Sequence, residues 1–138
     1  FKGELNMRRK AFAVSHRIHN AVMWYGKEYE FKRAKKNEFN EPTDKLELIE
    51  TVRGIYHSSQ QSFIDLINTE AASIKSKTNK GILCMASSGA LLKQDDTVDI
   101  NLVKYKVTAV EPVMYGDVKV ATEISLEELV YTEDSNED

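Results

Sequence analysis

The stretch that most limits what this chain can fold into is Gln94 to Val110, QDDTVDINLVKYKVTAV. Apolar side chains fall at Val98 and Ile100, then at Tyr105, Val107 and Ala109, with Asp99, Lys104, Lys106 and Thr108 between them. A period of two residues sends successive side chains to opposite faces of a strand, so each run has one face to bury. The expectation is a β-hairpin with Val98, Ile100, Tyr105 and Val107 as core anchors. Its turn, Asn101, Leu102 and Val103, lacks the glycine that a tight type I′ form calls for after asparagine.

Further strand patterns surround this hairpin. After Pro112 and the turn-like Tyr115, Gly116 and Asp117, the side chains of Val118, Val120, Ile124 and Leu126 are expected on one face of a strand, with Lys119, Glu123 and Glu127 on the other. Ile124 and Leu126 join the expected core anchors. Ile82 to Ala86 is an apolar run bounded by Asn79, Lys80, Gly81 and by Ser87, Ser88, Gly89, which reads as another strand. Leu46 to His57 fits helical spacing as well as alternation. Its β-branched Ile49, Thr51, Val52 and Ile55, with Gly54, favour a strand bulged near Glu50.

Upstream, Gly26 and Lys27 separate Ala21 to Tyr25 from Glu28 to Arg33, a spacing that suits a type II′ turn. This predicts a second hairpin, with Trp24, Tyr29 and Phe31 as core anchors. Lys35 to Asp44, rich in Asn, Pro and Asp, reads as an exposed loop. Six or seven short strands point to a mainly β fold, a small antiparallel β-barrel or sandwich.

One helix precedes the strands. Ala11, Val14, Ile18 and Ala21 recur at three and four residues, tracing a stripe along a helix over about residues 8–20. Arg8, Arg9 and Lys10 stand in its expected first turn, the wrong sign for the positive end of the helix dipole. Either packing on its own domain or a partner surface completes such a helix. Phe1 to Asn6 carry no assigned role.

The span from His57 to Lys80 is a long insertion between strands. Ser58 and Gln61 form a capping box, and Phe63, Ile64, Ile67 and Ala71 fit a short amphipathic helix, while Ile74 to Lys77 can begin a strand. Long connections of this kind are often functional, and Phe63, Ile64 and Leu66 mark it as an expected interaction surface. At the other end, TEDSNED over residues 132–138 reads as an acidic, disordered tail.

A length of 138 residues suits one domain, and 41% hydrophobic with 30% charged residues is ordinary for a globular protein. No stretch reaches the roughly 18 apolar residues of a membrane span and no signal-peptide pattern is visible, so an intracellular origin is expected. The lone Cys84, set in ILCMA, cannot form an internal disulfide and reads as a buried, inert thiol. Charge is uneven. Met7 to Lys36 holds nine cations against Glu28 and Glu30, net +7, and Glu111 to Asp138 holds nine acids against Lys119, net -8. Head-to-tail docking of copies and two solvated faces both fit this asymmetry.

Catalytic signatures are missing: there is no GxSxG, phosphate loop, HExxH, CxxC or dinucleotide fingerprint, and neither an enzyme nor a cofactor is expected. His16 and His19 lack a third ligand at a recognisable spacing. Asp95, Asp96 and Asp99 read as solvated turn acids, since the EF-hand spacing and its terminal Glu are absent. Tyr29 and Phe31 beside the Lys32 to Lys36 cations also fit a single-stranded nucleic-acid-binding barrel, although a pI of about 5.7 argues against a dedicated binder.

Three segments in order, YGKEYEFKRAKKNEFNEPTD, then TVRGIYH before a long loop, then QDDTVDINLVKYKVTAV leading to VKVATEISLEE, resemble the head-completion or stopper proteins of long-tailed bacteriophages. These are also called head-tail joining or head-closure proteins, and the match runs from about Trp24 to Val130. The resemblance implies a non-enzymatic β-barrel that forms a ring of its own copies beneath the portal and adaptor. It implies that the ring retains packaged double-stranded DNA without sequence preference and offers a docking surface to tail proteins. Its place would be the head-tail interface of the virion, after synthesis in the host cytoplasm, with no membrane partner. Carried onto this chain, the channel-gating loop is the 57–80 insertion, with Ser58, Ser59, Gln60, Gln61, Ser62, Phe63, Ile64, Asp65, Leu66, Ile67 and Asn68. The adaptor-docking helix would present Arg8, Arg9, Lys10, Phe12 and Arg17. That helix is longer and more basic than the family core requires. A tail-terminator or tail-tube subunit is the alternative within the same class.

Overall fold

The computed structural model describes residues 2–58 and 80–129. The helix α1 spans Lys2–Tyr25 and is followed by β1 (Lys27–Lys36), β2 (Pro42–His57), β3 (Gly81–Cys84), β4 (Thr97–Ile100), β5 (Val103–Tyr115) and β6 (Val118–Glu128). The strands form one antiparallel sheet, with neighbours in the order β1-β2-β3-β6-β5-β4, that closes on itself. The fold is mainly β, as the alternating runs require.

Two apolar clusters lie on opposite sides of this sheet. Inside, Phe31, Val52, Ile82, Cys84, Val98, Ile100, Tyr105, Val107, Ile124 and Leu126 are buried together, with Tyr29 packed against them. Outside, Ala11, Val14, Ile18 and Val22 of α1 pack against Leu83, Val113, Val120 and Ala121. Strand β3 shows the alternation most simply, since Ile82 and Cys84 point inward while Leu83 meets the helix.

The expected second hairpin is absent, because Ala21 to Tyr25 continue the helix. The stripe Val14, Ile18 and Val22 recurs every four residues, and burying Val22 against the sheet keeps the last turn helical. On that turn Trp24 points away and is 81% exposed, so it is no core anchor. At the helix end, the Gly26 N–H donates to the Val22 carbonyl at 2.9 Å. Arg53 of β2 donates to the Val22 and Met23 carbonyls at 3.2 and 3.0 Å, capping the negative end from outside the helix. Since α1 begins at Lys2, Arg8, Arg9 and Lys10 fall beyond its first turn. The expected clash with the dipole does not arise.

The 35–44 loop is also tighter than its composition suggests. Asn37 Oδ1 accepts the N–H groups of Phe39 and Glu41 at 2.8 and 3.0 Å, and Asn40 takes φ 64°, so β1 runs to Lys36 and β2 starts at Pro42. The β2 irregularity expected near Glu50 is present as a register shift that leaves Ile49 unpaired between Glu50 and Leu48. The Glu50 carboxylate accepts the Gly89 and Leu91 N–H groups at 2.9 and 3.1 Å, tying the turn before β4 to this bulge.

Two further bulges redirect faces. Thr108 is skipped between β5 and β6, so that Val110 packs against the inner cluster instead of Ala109 continuing the alternation. Val120 is skipped in β6, so Val118 and Val120 belong to the helix side while Ile124 and Leu126 belong to the interior. Glu123, expected to face solvent, is buried.

The hairpin turn needs only Asn101 and Leu102, because Ile100 pairs with Val103. Both residues have positive φ, 52° and 69°, the conformation of a type I′ turn formed without glycine. Leu102 is fully exposed and makes no apolar contact that would offset its left-handed backbone.

Asp96 overturns its reading as a solvated acid: it is 1% exposed and accepts from Arg33 Nε and Nη2 at 2.7 and 2.9 Å and from the Lys93 N–H at 2.8 Å. Asp96→Ala should lower unfolding free energy by about 3 kcal/mol, by stripping these donors of a buried partner, whereas Asp99→Ala should change it by less than about 0.5 kcal/mol in the same urea titration. In the turn, Leu102→Gly should raise stability by about 0.5–1 kcal/mol, because relief of the left-handed leucine outweighs the extra chain entropy of glycine.

Candidate interaction surfaces

On α1 the buried stripe occupies one side, and the rest of the circumference faces out. Arg8, Arg9, Lys10 and Arg17 are exposed. Phe12 is 74% exposed and stacks on His16, whose ring in turn lies parallel to that of His19, with centroid separations of 6.4 and 6.5 Å. His19 Nδ1 approaches Met85 Sδ at 2.9 Å, fixing this ladder to the segment after β3. No group of three His, Cys, Asp or Glu side chains able to hold a metal occurs among the described residues.

At its C-terminal end α1 adds Met23, Trp24 and Tyr25, the last 78% exposed. Trp24 and Tyr25 are surface residues that the local pattern hides, because Gly26 after them has the composition of a hairpin turn. The four-residue spacing from Val14 through Val22 was the signal that would have found them. The result is a helix carrying cations and large aromatic side chains on faces that its own sheet does not cover. Such amphipathic aromatics are enriched where protein surfaces meet.

The second surface is the base of the 57–80 insertion. Of the residues assigned to a channel gate, Ser58 is described and exposed, while residues 59–68 lie outside the described residues, as do the strand expected near residues 74–77 and the tail at 132–138. The flanks of the insertion are held firmly. His57 pairs with Gly81, and its Nε2 lies 2.9 Å from Glu123 Oε2, both side chains being largely buried. A Cβ on Gly81 would collide with the Glu123 carboxylate, so glycine makes room for this pair. Lys80 Nζ sits 3.3 Å from Glu128 Oε1 and 5.5 Å from the Tyr105 ring centroid. The Tyr105 hydroxyl lies 3.2 Å from that of Tyr56.

Burial pushes the Tyr56 phenol up to about 12, and its hydrogen bond to Tyr105 adds to the shift. Burial likewise pushes the Cys84 thiol up to about 12, with the nearby Glu123 and Glu50 charges adding to it, and the thiol donates to the Thr122 carbonyl at 3.4 Å. Such a thiol holds its proton and is a poor nucleophile.

Of the predicted core anchors, Phe31, Val98, Ile100, Tyr105, Val107, Ile124 and Leu126 are buried in the inner cluster, and Tyr29 is half-buried beside them. Of the two aromatics in the nucleic-acid reading, Phe31 has no face free for a base to stack on, while Tyr29 keeps part of its surface exposed. Comparison of the chain with protein-family models, curated proteins and solved structures finds no match.

The raised thiol and phenol values set a pH dependence. The folded state keeps both protons to about pH 12, whereas the unfolded chain loses them from about 9.0 and 10.0. Their stabilising contribution is therefore complete below pH 9 and lost as pH rises towards 12. Urea unfolding at a series of pH values should show stability falling above pH 9, and Cys84→Ala should make that fall shallower.

Proposed function

We propose that this chain is a non-enzymatic connector subunit of a long-tailed bacteriophage, a stopper that forms a ring beneath the portal and adaptor. In this reading the closed sheet is the barrel of each subunit, and the ring retains packaged double-stranded DNA and receives the tail. The observation that carries it is the combination, on one closed sheet, of an N-terminal helix with an uncovered aromatic and cationic face and a long insertion leaving the β2–β3 end. The order of the three resembling segments supports the same assignment.

The two surfaces would divide the work. The outward face of α1, with Arg8, Arg9, Lys10, Phe12 and Arg17, and now Trp24 and Tyr25, docks on the adaptor. The 57–80 insertion closes the channel. Its flanks are fixed by the His57–Glu123 and Lys80–Glu128 contacts, so a load on the insertion is passed to β2, β3 and β6. A weak contact repeated around a ring gains strength through effective concentration and still releases when the ring opens.

The copy number and position of this chain in intact particles test the assignment. A ring at the head-tail vertex is expected, and absence from the particle or a place along the tail tube would reject it. Phage carrying Phe12→Asp with Trp24→Asp should yield heads that package DNA but lack this chain, lack tails and lose the DNA after packaging. Deleting residues 59–77 should give particles that contain the chain but lose DNA after packaging. If those particles keep their DNA, the gate assignment is wrong.

A further inference from the structure

The closed sheet has an incomplete seam. β1 meets β4 through the single pair Lys32↔Thr97, reinforced by Thr97 Oγ1 donating to the Lys32 carbonyl at 3.4 Å. From there towards Lys27 and Asn101 no further β1–β4 pair occurs among the described residues, although β1 is paired with β2 and β4 with β5 on their other sides. Alternate backbone N–H and C=O groups of Lys27 to Phe31 therefore face the gap, as on an edge strand. Two adjoining clefts run along it. One of about 210 Å³ is lined by Glu28, Glu30, Thr97 and Asp99 among others, and one of about 320 Å³ by Tyr25, Tyr29, Tyr56 and Ile100 among others.

Charge disfavours further pairing of the two strands. Continuing the register of Lys32↔Thr97 would set Glu30 directly opposite Asp99 and Glu28 opposite Asn101. Like charges facing each other across a strand pair are unfavourable. Lys27 and Lys32 stand at the two ends of the unpaired stretch, and Lys104 opposes Asp99 from β5. Arg53 opposes Glu28 from β2, yet its guanidinium is directed to the α1 carbonyls. None of Glu28, Glu30 and Asp99 has a cation within 4.0 Å among the described residues. On the inner side of the seam Tyr29 is half-buried, and Phe31, Val98 and Ile100 behind it are buried in the inner cluster.

A strand entering this gap meets carboxylates on its outward face and an apolar interior on its inward face. We infer that the seam is a strand-addition site for an extended segment of a partner polypeptide that alternates Lys or Arg with apolar residues. The partner's backbone pairs with the free edge of β1, its cations face Glu28, Glu30 and Asp99, and its apolar residues face Tyr29 and Ile100. Backbone pairing of this kind supplies affinity, and the alternate side chains supply selectivity. This inference does not rest on the connector assignment: it uses no residue of the 57–80 insertion and shares with the outward face of α1 only Tyr25, at the rim of one cleft.

The test is an amide-resolved NMR titration of the full chain with a capped Lys-Val-Lys-Val-Lys-Thr peptide and its Glu-for-Lys counterpart. The lysine peptide should shift amides at residues 27–31 and 97–101, and the glutamate peptide should not. Glu30→Lys and Asp99→Asn should each weaken binding at least tenfold without lowering the thermal midpoint, because either change relieves the repulsion across the seam. No shift at millimolar peptide, equal binding of both peptides, or unchanged affinity in both variants would overturn the inference. So would shifts of the same amides on dilution of the protein alone, which would give the seam to a second copy of this chain.

Discussion

The ion pair between Arg33 and Asp96 is the contact on which closure of the sheet depends. Only one residue pair joins β1 to β4, and Arg33 and Asp96 are the next residues along from it, one on each side. The fork of Arg33 reaches both carboxylate oxygens, and its Nη2 also donates to the Leu91 carbonyl at 3.1 Å. Bidentate geometry makes this a directional clasp as well as a charge attraction. On the far side of Asp96, the Asp95 N–H donates to the Val107 carbonyl and the Val107 N–H to the Asp96 carbonyl, at 2.8 and 2.7 Å. The clasp thereby connects β1 through the turn before β4 to β5, which the backbone pairing alone barely does.

Closure at one point leaves the remainder of the β1–β4 boundary free, and the chain uses β6 to compensate elsewhere. β6 is buried along Val120 to Leu126, with the interior on one side and α1 on the other, and the bulge at Val120 lets it change face between the two clusters. The helix is therefore part of the fold and also an exposed platform. Its buried stripe anchors it, and its remaining circumference carries Phe12, Trp24 and four exposed cations outward. In the proposed connector this division lets a docking surface be rigid without being buried.

The places where residue patterns misled have local physical causes. Gly26 has the composition of a hairpin turn, yet it ends a helix, because Arg53 of β2 supplies the partners that the last helical carbonyls need. Asp96 looks like its neighbours Asp95 and Asp99, and only the arrival of Arg33 from β1 makes a buried carboxylate tolerable. Glu123 sits at an outward position of β6, where Gly81 and His57 enclose it. In each case the decisive partner is distant in the chain, so no window of neighbouring residues contains it.

What the amino-acid order determined on its own was the mainly β class, the inward faces at Val98, Ile100, Tyr105 and Val107, the β2 irregularity near Glu50, and the helical stripe through Ala11, Val14 and Ile18. These follow from periodicity, which is a local property of the backbone: two residues per repeat in a strand and 3.6 in a helix. Closure of the sheet, the side of it that α1 covers, the outward turn of Trp24 and the open β1–β4 seam were decided only in three dimensions. Each depends on a long-range pairing or on a bulge that shifts a face by one residue, and a one-residue shift in a strand reverses inside and outside while leaving its composition unchanged.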